Sequence, residues 1–548
     1  MTSMIDTLRF LTDFDSHRMG HIVTDVLVIG GGVAGARAAI EAARFGSVIL
    51  VTKGRIDESA TRYAQGGIAA AMGRDDSVEA HFDDTVRVGC DMNDRDSVRA
   101  LVTDGPRRID ELIEWGLAFD RTNGDLALGR EGGHAVNRIV HADGDRTGRA
   151  LADTLTRRAR STEGIRVFEH CFMLDFLIAH GACVGVVTFH PKYGHQLVWA
   201  KQTILATGGC GQLWRETTNP AVATGDGVAA AYRAGAALRN MEMMQFHPTT
   251  LYVAGSGRAL ISEAVRGAGA HLVDQIGERF MTAYHPAGEL APRDIVSRAI
   301  HLRLEETRTP CVYLDVRHLE RFDERFPNIA GLCRDFEIDP MRDRIPVRPS
   351  AHYSIGGVVV DIDGRSTIEG LFACGEAASS GVHGANRIAS NSLLEGLVFG
   401  ARAGACAGER ATQTPNRAGV HRAANRRPDS SRTELDLPDI RNSLRSLMWR
   451  NVGIVRTADR LRETVEILDF WAHYTLDKTL DHTRGWETQN ELTAARMVAA
   501  GALERDESIG VHYRSDAREQ GPMRYDLVLE RNEDGTVPQR RERTQCDA

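Results

Sequence analysis

Residues 25–35 read D-V-L-V-I-G-G-G-V-A-G, an apolar run that meets G-x-G-x-x-G and passes at once into a helix-like stretch at 36–45. Few sequence features restrict a fold so tightly, because each glycine has its own mechanical task. Gly30 makes the tight turn out of a strand, Gly32 lets a pyrophosphate approach the backbone, and Gly35 lets the helix lie close on the strand. The helix N-terminus then offers unpaired N–H groups and the positive end of its dipole to a phosphate. A glycine triplet alone is weak evidence. Strand, turn and helix in this order are the context that makes it a dinucleotide site.

The type of dinucleotide depends on the residues after the second strand. An NAD-binding unit usually carries Asp or Glu at the end of that strand, to meet the ribose hydroxyls. Here the second strand is expected at 48–52, and Thr52 and Lys53 hold that place. Two further segments favour FAD. Ala60, Thr61, Tyr63, Ala64, Gln65, Gly66 and Gly67 belong to a second polar loop just after strand two. Far downstream, Gly375-Glu376 and S-N-S-L-L-E at 390–395 provide an acid and a helix start with Ser390 and Ser392 near its cap. A flavin needs such distant pieces, because its two ends rest on different parts of the chain.

With 548 residues the chain is long enough for about three domains. The net charge of −8 argues against nucleic acid or an anionic membrane as the partner of the whole protein. Nine scattered cysteines without C-x-x-C pairs fit a reducing compartment. No stretch approaches the roughly 20 apolar residues that span a bilayer, and residues 1–23 lack the apolar core of a signal peptide. A cytoplasmic protein without a metal site is expected. Along the chain, residues 1–23 read as a polar arm, 24–240 and 351–411 as an FAD-binding domain, and 241–350 as a capping domain. Residues 412–433 read as a linker, 434–512 as a helical bundle with helical periodicity, and 513–548 as a charged tail with one short strand at 525–529.

Five motifs in order give the chain a wider likeness: Y-A-Q-G-G at 63–67, R-E-G-G-H at 130–134, Q-F-H-P-T at 245–249, E-L-A-P-R-D at 289–294 and H-G-A-N-R at 383–387. Together they resemble the succinate dehydrogenase/fumarate reductase flavoprotein family over residues 25–510. The resemblance implies an α/β fold, with a doubly wound FAD-binding domain, an inserted α+β capping domain and a C-terminal helical bundle. It also implies FAD contacts at Gly30, Gly31, Gly32, Val33, Ala34, Gly35, Lys53, the 60–67 loop, Asp226, Glu376, Ser390, Ser392 and Leu393. Membrane-bound members attach FAD through a histidine five residues before the glutamine of A-Q-G-G. Ala60 stands there, so noncovalent FAD is expected.

Within the family the chain is most similar to the branch that oxidises L-aspartate to iminoaspartate in NAD (quinolinate) biosynthesis. That branch returns electrons to O₂ or fumarate, and its product goes on to quinolinate synthase, by diffusion or transient contact. The resemblance assigns His247, His352 and Arg387 to the substrate carboxylates, with Gln245 beside them and Ser262 and Glu263 on the capping domain. Arginine's planar fork and histidine's N–H suit two carboxylates. Arg293 receives the proton-transfer role, which is awkward because an arginine essentially never deprotonates in water (pKa above ~12). The alternative is that Arg293 orients a carboxylate and stabilises charge. Glu131 stands where the fumarate-reducing branch typically has an apolar residue, and it suits a substrate with an ammonium at C2. A plain salt bridge from Glu131 to Arg130 or Arg138 is the competing reading. Ile509 occupies a position commonly held by arginine in the family, which puts the seating of the bundle in question. The rivals are a soluble fumarate reductase or succinate dehydrogenase flavoprotein, and a flavin-bearing nucleic-acid binder using the arginines of 417–462.

Overall fold

A seven-stranded sheet forms around the segment that carries the glycine fingerprint. The computed structural model describes residues 3–257, 259–415, 422–427, 436–517, 524–532 and 535–542. The strand Gly20–Ile29 runs parallel to Val48–Val51 on one side and to Gly194–Leu205 on the other. Ile165–Phe168 extends the first edge in parallel, and Leu371–Ala373 pairs in parallel with the end of Gly194–Leu205. Ala182–His190 and Phe172–Ala179 continue the other edge as antiparallel strands. Residues 26–29 and 48–51 are all buried, as expected of strands covered on both faces.

Helix Val33–Ala42 lies between this sheet and the long helix Asn391–Gln413. Gly30 turns with φ +110°, a conformation open to glycine, and a Cβ on Gly35 would collide with the Gly30 carbonyl. On its other side the helix meets Gly396, Gly400 and Gly404, spaced four apart on one face. A Cβ on Gly400 would stand 2.5 Å from the Ala34 carbonyl oxygen. This approach carries the start of Asn391–Gln413 to the glycine turn.

An antiparallel sheet of Met244–Leu251, Ile345–Ser354, Val312–Asp315 and His271–Val273 packs helix Arg293–Thr307 over its own core, which includes Leu251, Val265, Leu272, Val296 and Ile300. Three helices follow, Leu437–Asn451, Ala458–Thr475 and Thr483–Glu504. The last is buried nearly all round, polar residues 488–491 included. Among them, Asn490 meets Asp226 and Arg233 of the main domain, Glu491 meets Arg441, and Gln489 donates to the Thr475 and Lys478 carbonyls, as buried polar groups usually do. A buried pair, Arg505 Nε to Glu242 Oε1 at 2.7 Å, ties the end of this helix to the region before the antiparallel sheet.

Three segments are more ordered than expected. The polar arm forms the short helix Met4–Thr7, capped by Ser3, and buries Ile5, Leu11 and Phe14. Phe14 and Asp15 pair with Asn425 and Ala424, so the described part of the linker carries a strand, while 416–421 and 428–435 lie outside the described residues. In the tail, Tyr525–Asn532 and Gly535–Glu542 form a hairpin that joins Leu238–Arg239 in a five-stranded sheet. Their partners lie hundreds of residues away, out of reach of local periodicity. Tyr232 Oη, for example, donates to Asp6 at 2.7 Å and contacts Thr536 Oγ1 at 2.6 Å. Ile509 is buried beside Met92, Met243 and Tyr353.

The glycine face predicts that Gly400→Ala forces the two helices apart. Overpacking of this kind costs about 1–3 kcal/mol, so its thermal midpoint and FAD content after gel filtration should both fall below wild type.

Candidate active site

One continuous cleft runs from the glycine turn to His352 and Tyr353, which adjoin a cluster of buried charged residues. Its walls include Gly30, Gly31, Gly32, Val33, Ala34, Lys53, Ala60, Thr61, Tyr63, Ala64, Asp226, Glu376, Ser392 and Leu393, and at its far end His352 and Tyr353. Gly35, Gln65, Gly66, Gly67 and Ser390 stand behind this wall. Gly35 makes the strand–helix contact, Gly67 packs under the Val140 carbonyl, and Gly66 lies beside Glu131 and Ser390. The Gln65 side-chain oxygen is buried without a partner among the described residues.

The cleft suits an FAD. No side chain caps helix Val33–Ala42 at Gly32, so its first turn presents backbone N–H groups, of which Val33 donates to Thr61 Oγ1 at 3.0 Å. The Thr207 hydroxyl, buried and without a partner among the described residues, lies in the same wall with Gly208 and Gly209. The carboxyl of Glu376 accepts from the Ser354 N–H at 2.8 Å. Burial nevertheless pushes it up to about 7. The wall also includes residues that carry no local signal, among them Phe172, Thr218, Asn219 and Tyr353. They sit on strands and turns with no recurring spacing to single them out.

Beyond His352 the charged residues interlock. Arg293 Nε donates to Glu263 Oε2 at 2.5 Å and its Nη1 to Gln245 Oε1 at 3.3 Å. Arg387 Nε reaches the same Gln245 oxygen at 3.2 Å, while Gln245 Nε2 donates to the Asn386 side chain and the Arg387 carbonyl, both at 2.8 Å. Gln245 therefore spaces two guanidinium groups on one oxygen. The Arg387 guanidinium lies over the Tyr353 ring at 4.6 Å. Tyr353 in turn donates to Glu395 at 2.6 Å, a carboxylate that also meets His383 at 2.9 Å.

His247 and His352 face each other with ring centroids 5.1 Å apart. Thr249 N–H donates to His247 Nδ1 at 3.2 Å, which places the ring hydrogen on Nε2. That Nε2 is buried and has no partner among the described residues. Burial, followed by the nearby Arg293 and Arg387 charges, holds both histidines well below their ordinary pKa, hence neutral. Burial alone would raise Glu263, but Arg293 and Arg266 hold it in its charged form. Burial and then Arg293 lower Arg387 to about 10. Ser262 caps the short helix Glu263–Gly267, with Oγ accepting from Ala264 N–H at 3.3 Å.

Glu131 is 3 % exposed and accepts from Ser390 Oγ at 2.7 Å. The salt bridge to Arg138 is not made, because Asp76 and Asp84 take that guanidinium at 2.9 and 3.0 Å. Arg130 is exposed. Instead Glu131 lies within electrostatic reach of Arg387 and of Arg266. Arg266 belongs to none of the five motifs, although it follows Glu263 by three residues and so shares its helix face. It is 1 % exposed, contacts Glu263 at 3.4 Å and donates to the Glu289 carbonyl at 2.6 Å.

A cleft of this form, with a cluster of buried arginines beyond His352, fits an FAD-dependent oxidoreductase. The FAD binding domain model matches residues 25–393, and the fumarate reductase flavoprotein C-terminal model matches 441–534. The L-aspartate oxidase of Streptomyces coelicolor is 44 % identical over 94 % of this chain and 93 % of its own. That of Bacillus subtilis is 42 % identical over 90 % and 91 %, and the chloroplastic one of Arabidopsis thaliana is 41 % identical over 90 % and 81 %. Among solved structures, E. coli quinol fumarate reductase FrdA superposes with TM-score 0.88 at 32 % identity, covering 96 % of this chain and 98 % of its own. Mycobacterium smegmatis Sdh1 superposes with TM-score 0.84 at 32 % identity, covering 96 % and 95 %. The chain belongs to the succinate dehydrogenase/fumarate reductase flavoprotein family, and within it to the L-aspartate oxidases. No described helix is long and apolar enough to cross a membrane, and no described group of His, Cys, Asp and Glu is arranged for a metal ion.

Glu376 yields a pH signature. A carboxyl at about 7 in the folded chain and 4.5 as its ordinary value binds more protons folded than unfolded between those limits. Its contribution to stability is present below about pH 4.5 and is lost as pH rises through 7. In the FAD-free protein, Glu376→Gln should therefore flatten the fall of thermal midpoint with pH across that window, as scanned by differential fluorimetry.

Proposed function

We propose that this chain carries out the FAD-dependent oxidation of L-aspartate to iminoaspartate, the first step of de novo NAD (quinolinate) biosynthesis, with O₂ or fumarate as electron acceptor. The observation that carries the substrate assignment is the charge inventory around the far end of the cleft. Among the described residues of this cluster, three buried guanidinium groups, Arg266, Arg293 and Arg387, stand with two buried carboxylates, Glu131 and Glu263. With both histidines neutral, one positive charge is left over. Aspartate, with two carboxylates and one ammonium, balances it. Succinate would leave one negative charge unmatched and offer nothing to Glu131.

In this reading Arg387 and the Nε2–H of His247 take one substrate carboxylate, and His352 the other. Arg293, fixed by Glu263 and Gln245, orients the substrate and stabilises its charge. Its position against Glu263 supports that role over proton abstraction. Glu131, anchored by Ser390, holds the ammonium and takes a proton from nitrogen as the C2–H bond breaks and the C=N bond forms. FAD held along the cleft wall would supply the oxidising power that removes the C2 hydride and would hand its electrons to the acceptor. The site residues supply orientation and a charge field already in place before reaction. With Ala60 in the flavin loop, the cofactor is held noncovalently. A cytoplasmic setting and transient contact with quinolinate synthase complete the reading.

Anaerobic L-aspartate should bleach the flavin absorbance, and admission of either O₂ or fumarate should restore it. Bleaching by succinate but not by aspartate would replace this reading with that of a succinate dehydrogenase flavoprotein. Glu131→Gln should lower kcat/KM for aspartate by about 10²-fold or more, with a much smaller loss in fumarate reduction. Equal losses in both would make Glu131 structural.

A further inference from the structure

Helix Thr483–Glu504 adds no side chain to the cleft wall, yet three of its residues each hold a residue that does. Lys53 gives its ammonium protons to Thr224 Oγ1 at 2.6 Å, Asp226 Oδ2 at 2.6 Å and Glu487 Oε1 at 2.8 Å. Asn490 Nδ2 donates to the other Asp226 oxygen at 2.8 Å. Trp486 packs on Phe172, ring centroids 5.7 Å apart, and the Lys53 ammonium stands 5.9 Å over the same Phe172 ring. Phe172, Lys53 and Asp226 all line the cleft. Positions 486, 487 and 490 share one side of the helix, so a single surface of the bundle grips all three. The grip is itself braced, because Arg441 of helix Leu437–Asn451 contacts Glu487 Oε2 at 3.3 Å and Glu491 at 2.8 Å.

Lys53 follows the second strand, where an NAD unit carries an acid for ribose hydroxyls. With its three protons committed, Lys53 has none left for a ligand. What it does instead is gather two carboxylates at that place. One of them, Asp226, lies on the wall, so the missing acid is restored from another part of the chain. The second carboxylate, Glu487, keeps the lysine from swinging towards the cleft, and Asn490 fixes the plane of the Asp226 carboxylate.

We propose that Glu487 and Asn490 are positioning residues of the FAD site: from the C-terminal bundle they hold Lys53 and Asp226 in the arrangement that receives the adenosine half of the cofactor, and so set how tightly FAD is retained. The bundle then acts as the outer wall of the cofactor site, although the residues touching the cleft belong to the other part of the chain.

The test titrates FAD into the full-length protein stripped of its flavin, following quenching of FAD fluorescence. Glu487→Gln preserves shape and removes a charge-assisted hydrogen bond, which should raise the FAD Kd about tenfold or more. Asn490→Ala should raise it in the same direction, and Glu487→Asp should recover most of the affinity. Arg496→Ala serves as the control, because it loosens the same helix through its 3.0 Å contact with Asp469, away from the cleft. It should lower the thermal midpoint of the flavin-free protein and leave the FAD Kd within twofold of wild type. Wild-type FAD affinity in both Glu487→Gln and Asn490→Ala overturns the proposal. So does an Arg496→Ala Kd raised as far as that of Glu487→Gln, since general packing of the bundle would then account for the effect. If Glu487→Gln fails to fold by circular dichroism, Asn490→Ala alone decides between the same two outcomes.

Discussion

Close approach of backbone to backbone, on two sides of helix Val33–Ala42, is the constraint on which the rest of the molecule depends. On one side Gly35 sits against the Gly30 carbonyl, and on the other Gly396 and Gly400 meet residues 33 and 34. Because no large side chain intervenes, helix Asn391–Gln413 starts beside the glycine turn, and its first residues Ser392 and Leu393 become part of the cleft. The same geometry sets Ser390 against Glu131 and places Arg387 just ahead of the helix, over Tyr353. A dinucleotide scaffold and the cluster of buried charges are thus one mechanical unit, linked by small residues rather than by large ones.

Electrostatics inside that unit follows from burial. Arginine, histidine and carboxylate groups taken out of water demand partners, and the protein supplies them in networks rather than isolated pairs. Gln245 spaces Arg293 and Arg387, Glu263 receives Arg293 and Arg266, and the neutral histidines present N–H groups without adding charge. Among its described residues the cluster holds one more guanidinium than carboxylates, with its donors already held in place. A second knot of the same kind, around Lys53, Asp226 and Glu487, joins the cofactor cleft to the C-terminal helices.

Much of this was legible in the chain. The fingerprint at 30–35 announced its strand, turn and helix, the 60–67 loop and the helix near 391 were visible as pieces of a flavin site, and helical periodicity marked the bundle. Glu131, Gln245, His247, Arg293 and Arg387 could be named from motifs, because each motif is short and local. Ser262, Glu263 and His352 lie outside the five motifs and came only with the family resemblance. What local reading lost were pairings across long separations: the arm that pairs with residue 425, the hairpin of the tail, the wall residues Phe172 and Tyr353, and Arg266. Their partners are set by packing, which leaves no period in the sequence. Lys53 is the clearest case. Its departure from the acid of an NAD unit was plain, but its consequence, the recruitment of Asp226 and Glu487, needed the third dimension.

By itself the sequence determined the cofactor class, the order of the elements and the chemical types available to the site, because glycine turns, periodicity and short motifs act over a few residues. Only the tertiary structure decided which charges face one another, which carboxylate makes no salt bridge among the described residues and which distant helix holds Lys53 and Asp226 of the cleft wall. Those outcomes depend on desolvation and distance, and both are properties of the packed molecule rather than of any segment within it.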